Sequence, residues 1–130
     1  TLRIVDYKTG GSPKTPANIE QLFTPSETRP NYIFQTFLYA AIMSRQQSLK
    51  VAPSLLYIHR AASESYSPVI EMGEPRQPKI PVSNFAFFED EFREHLQRLL
   101  KEIFDENEPF TQTEDTKKCA YCDFKAICKR

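Results

Sequence analysis

Apolar and polar positions alternate from Leu2 to Lys8, with Leu2, Ile4, Asp6 and Lys8 on one face and Val5 and Tyr7 on the other. That period of two predicts a β-strand, and apolar residues on both faces predict a central one. Residues 9–30 then carry Gly10, Gly11 and four prolines, which predicts a long connection with one helical turn over residues 17–23. Residues 31–47 hold no proline or glycine, and Phe34, Phe37, Leu38, Ala41 and Ile42 recur at helical spacing behind Pro30, a residue suited to a first turn. Residues 55–59 (LLYIH) and 67–72 (SPVIEM) read as strands joined by a polar stretch that fits a hairpin. Three prolines make residues 73–81 a loop or sheet edge. A second long helix is predicted over residues 85–104, where Phe85, Phe88, Phe92, Leu96, Leu99 and Ile103 form a core-facing stripe. Residues 105–118 are polar and weakly patterned, and read as an extended crossing.

At 130 residues, 40% of them hydrophobic, the chain suits one small α/β core, with no apolar run long enough for a membrane span and no signal-like start. It opens at Thr1 inside an apparent strand and is therefore expected to be a piece cut from a longer protein. Seventeen basic residues balance seventeen acidic ones, so no global field draws nucleic acid and any such contact has to be local. Three cysteines crowd into the last twelve positions, which argues against a disulfide framework and for metal or redox use in a reducing, cytoplasmic setting.

Three features carry candidate chemistry. In DYKTG, Asp6 and Lys8 stand two apart on one strand face, where a carboxylate can hold a hard cation and an ammonium can stabilise a developing phosphorane charge. The same pair also fits a surface ion pair. Gln35 and Tyr39 lie at i and i+4 on one helical face, a spacing that equally fits a surface amide and a core ring. Cys119, Cys122 and Cys128 form C-x2-C-x5-C, a cluster of soft ligands for zinc or iron-sulfur. His59 and His95 read as structural or solvent-facing.

In chain order, DYKTG, the helix motif Q-x3-Y-A (Gln35, Tyr39, Ala40) and the terminal CAYCDFKAIC resemble the RecB-type branch of the PD-(D/E)XK nucleases, above all AddB-type domains. The resemblance implies a partial PD-(D/E)XK restriction-endonuclease-like core, a mixed sheet flanked by helices over residues 1–104, with a cysteine-rich segment over 105–130. It implies Asp6 as an acidic metal ligand assisted by the Tyr7 carbonyl, Lys8 as the catalytic lysine, and Gln35 and Tyr39 lining the site and touching DNA. It further implies Mg2+ or Mn2+ and three of the four ligands of a 4Fe-4S cluster, with zinc as the alternative. The implied activity is phosphodiester hydrolysis of DNA in double-strand-break repair and recombination, beside a helicase-nuclease partner subunit or domain. The family's first acidic ligand, its upstream histidine and its fourth cysteine have no counterpart here, so these residues alone are expected to be inactive. Other readings are a non-catalytic DNA-binding module on a degenerate nuclease fold, a CRISPR-associated iron-sulfur nuclease, and a small zinc-bound interaction domain.

Overall fold

The computed structural model describes residues 1–129. Their elements run β1 (Leu2–Lys8), α1 (Glu20–Phe23), α2 (Asn31–Ser44), β2 (Val51–Tyr57), a 3-10 turn (Ile58–Arg60), β3 (Glu71–Met72), β4 (Ile80–Pro81), α3 (Ala86–Ile103) and α4 (Thr116–Ala120). The chain divides into two compact units, Thr1–Leu100 and the residues from Lys101 onward, and the division falls inside α3.

In the first unit β1 and β2 pair in parallel, in register from Leu2 opposite Val51 to Lys8 opposite Tyr57. Parallel neighbours need a crossover, and the connection supplies it with α1 and α2. Pro30 starts α2 because its carbonyl accepts bonds from the Ile33 and Phe34 amides, at 3.0 and 3.1 Å. Pro53 sits within β2 without interrupting the ladder. The Leu55 amide, two residues on, donates to the Pro68 carbonyl at 2.8 Å, so the edge on which Pro53 lacks its N–H faces away from β1.

The core of this unit is aromatic. Phe37, Phe85 and Phe92 are fully buried, together with Ile19, Leu22, Ile33 and Val82. Phe92 brings its ring centroid to 5.3, 5.8, 5.8 and 5.9 Å from those of Phe23, Phe34, Phe37 and Phe85. These separations lie in the range where tilted and edge-on rings attract. The stripe expected on the second long helix thus packs at its N-terminal half, whereas Leu100, Ile103 and Phe104 are exposed.

Several expectations are corrected. β1 is not central among the described residues: it pairs with β2 alone, and Tyr7 is 64% exposed. In place of one mixed sheet there are two two-stranded sheets, the second being the antiparallel pair β3 and β4. The strand expected at residues 55–59 begins at Val51 and ends at Tyr57, leaving His59 in the 3-10 turn. Pairing with β1 overrides the turn-like Ala52-Pro53-Ser54. Of residues 67–72 only Glu71 and Met72 form a strand, although a bridge between Ser54 and Val69 keeps the antiparallel sense of the expected hairpin. Pro68 has no amide to extend that bridge. The first long helix stops at Ser44, not residue 47. In the second unit residues 105–118 are not a plain extended crossing. Asp105 caps a turn by accepting the Asn107 amide, and α4 starts at Thr116.

Candidate active site

Asp6 and Lys8 are among the last three residues of β1, on the face that α2 covers, so the helix delivers its side chains onto the carboxyl end of a parallel strand. In open α/β sheets that end is where ligands bind. The Lys8 ammonium lies 2.9 Å from Asp6 Oδ2 and donates to Gln35 Oε1 at 2.8 Å. Gln35 Nε2 in turn donates to the Tyr39 hydroxyl at 2.7 Å. The four side chains singled out from sequence therefore meet in one hydrogen-bonded line. Asp6 and Lys8 expose only 15% and 13% of their side chains, so their mutual attraction is screened less than that of a surface pair.

Two further residues join the network. The Lys8 ammonium stands 4.3 Å from the centroid of the Tyr32 ring, within cation–π range. Thr36, completely buried, donates to the Tyr32 carbonyl at 2.8 Å and brings its hydroxyl to 3.4 Å from Asp6 Oδ2. Sequence reading passed over both, yet a signal was there: Tyr32, Gln35, Thr36 and Tyr39 are spaced by three and four, one polar stripe on an otherwise apolar helix. Close by, Tyr57 opposes Lys8 in the ladder, and its phenol is held above the ordinary tyrosine value, by burial first and then by Tyr66, Tyr32 and Asp6. It therefore stays neutral beside the ion pair at any pH where tyrosines normally do. The Tyr7 side chain is exposed to solvent and takes no part in this network.

A family model describing the PD-(D/E)XK nuclease superfamily matches residues 1–129. The chain belongs to that superfamily. No curated protein and no solved structure matches it significantly. Members of the PD-(D/E)XK superfamily are typically nucleases, act on DNA and generally use divalent metal ions. Among the described residues no three His, Cys, Asp or Glu side chains form a group able to hold a metal, and Asp6 is the one carboxylate bonded into the Lys8 network. This donor set does not make an all-protein cage. It does fit Mg2+ or a similar hard ion, which keeps much of its shell as water and substrate phosphate and takes one or two carboxylates.

The cysteines belong to the second unit. Cys119 and Cys128 are half-buried, Cys122 is exposed and all three are free thiols. Successive turns organise the segment: the Cys122 amide donates to the Cys119 carbonyl and the Cys128 amide to the Phe124 carbonyl. The three thiols do not converge into a metal-holding group in this arrangement. His59 and His95 take no part in the Lys8 network; the His95 ring stacks on Phe23 at 5.2 Å and His59 meets Tyr57 edge-on. No helix among the described residues is long and apolar enough to cross a membrane.

Proposed function

We propose that this chain supplies the catalytic half-site of a divalent-metal-dependent deoxyribonuclease of the RecB type. The observation that carries the reading is the junction of Lys8 with Asp6 and Gln35, because it fixes a cation where a strand end meets a helix. In phosphodiester hydrolysis water oxygen bonds to phosphorus, the bond to the leaving oxygen breaks, and negative charge builds on the non-bridging oxygens. Lys8 directs an ammonium proton at that charge. Gln35 accepts one Lys8 proton and Tyr39 anchors Gln35, so the lysine is oriented before substrate arrives. Asp6, with the Tyr7 carbonyl beside it, would hold the cation; when bound, the cation supplies water activation and charge neutralisation. A second carboxylate completes the metal site in this reading, and the described residues alone are expected not to cleave.

Cleavage of a labelled DNA strand by the intact protein carrying this chain is expected to need added Mg2+ or Mn2+ and to stop on chelation. Cleavage that persists at full rate after exhaustive metal removal would sink the reading.

The C-x2-C-x5-C segment is proposed to bind a 4Fe-4S cluster once its three thiolates and a fourth converge, as in the AddB-type enzymes of helicase-nucleases that process broken DNA ends. The spacing of the cysteines is its support. Intact protein purified anaerobically is then expected to be brown and to contain iron. Stoichiometric zinc without iron would instead make the segment a structural zinc site.

A further inference from the structure

Tyr32 stands in the first turn of α2 and brings the face of its ring to 4.3 Å, centroid to nitrogen, from the Lys8 ammonium. Lysine carries its charge on a flexible four-carbon stem, so the place of the head depends on what holds it. Asp6 Oδ2 at 2.9 Å and Gln35 Oε1 at 2.8 Å hold it from two points. Two distances still leave the ammonium free to swing about the line that joins those oxygens. A third distance fixes it in space, and the Tyr32 ring supplies one.

The kind of contact matters as much as its presence. A ring face attracts a cation through its quadrupole and brings no net charge of its own. Asp6 already offsets the lysine once, so a second carboxylate in place of the ring would turn the site negative and repel a phosphate. The ring is itself seated from the loop that follows β1. A Cβ added at Gly11 would come within 3.1 Å of Tyr32 Cε2, and Gly11 has a φ of +81°, so both the close approach and the backbone call for glycine. Tyr57, the ladder partner of Lys8, tilts its ring against that of Tyr32 at 6.4 Å between centroids. Loop, strand and helix thus converge on one side chain whose exposed share is 39%.

We propose that Tyr32 is the positioning residue of Lys8: its ring face, seated by Gly11, holds the ammonium in place for the reacting phosphate without adding negative charge to the site. The proposal rests on the nuclease reading for the reaction it serves, and the contact itself is tested without cleavage.

Tyr32→Phe keeps the ring, whereas Tyr32→Leu keeps an apolar side chain without one. In the intact protein with Mg2+, Tyr32→Leu is expected to lower kcat for DNA cleavage roughly 2- to 30-fold, the span that cation–π attraction covers, with KM little changed. Tyr32→Phe is expected to cleave close to the parent rate. Phenylalanine bearing one, two and three ring fluorines at position 32 withdraws charge from the ring face while nearly keeping its shape, and kcat is expected to fall stepwise along that series. A ring that only fills space would give no such order. Gly11→Ala is expected to lower kcat in the parent and to lower it less in Tyr32→Leu, since the two share one contact. Thermal melting shows that each variant is folded. In metal-free protein, the Lys8 side-chain protons next to the ammonium are expected to resonate upfield, by ring current, in the parent and Tyr32→Phe but not in Tyr32→Leu. A flat fluorine series, or Tyr32→Phe as slow as Tyr32→Leu, overturns the positioning role and leaves the nuclease reading standing. Absence of the upfield shift overturns it whether or not DNA is cut. An upfield shift in a protein that never cleaves with metal keeps the contact and defeats the nuclease reading alone.

Discussion

Replacing Lys8 by alanine in the intact protein is expected to slow DNA cleavage about 100-fold or more, the scale of losing one preorganised donor to a developing oxyanion. Asp6→Ala is expected to do at least as much, since it removes both the proposed cation ligand and the partner 2.9 Å from the ammonium. Gln35→Ala should cost less, roughly tenfold, because it deletes one hydrogen bond to a charged group while leaving the charge in place. The order of the three effects is as informative as their size. A structural ion pair would lower stability in all three variants without changing the rate of the folded fraction, so steady-state cleavage has to be measured beside thermal melting. Undiminished cleavage by both Asp6→Ala and Lys8→Ala removes the catalytic assignment.

The largest stability effect is expected at Phe92. Its side chain is fully buried and touches four other aromatic rings, so truncation to alanine loses its own burial, leaves a cavity and strips an edge-on partner from its neighbours. A loss of about 3–5 kcal/mol is expected for Phe→Ala at such a site. A domain of this size holds only about 5–15 kcal/mol in total, so the variant is expected to be marginally folded. Phe87, five residues earlier on the same helix and 81% exposed, is the control, and its alanine variant is expected to stay within about 0.5 kcal/mol of the parent. Urea midpoints of the two variants check this; equal shifts would mean that the aromatic cluster does not hold the unit together.

By itself the sequence determined those features that depend on near neighbours along the chain. The long helices were legible because Phe34, Phe37, Leu38 and Ala41, and likewise Phe85, Phe88 and Phe92, repeat with the helical period whatever they pack against. Asp6 and Lys8 share a strand face by alternation, and Gln35 and Tyr39 a helix face by spacing, so two halves of the site were readable separately. That they meet, with Lys8 bonded to Gln35 across 27 positions, was decided only by the parallel crossover that lays α2 over the end of β1. Tyr32 and Thr36 entered the site by the same route, since an aromatic ring and a hydroxyl gain a role there only from what faces them. Tertiary pairing also fixed β2, whose Ala52-Pro53-Ser54 lacks a strand signature but lies in register with β1, and it reduced residues 67–72 to a bridge and a short strand.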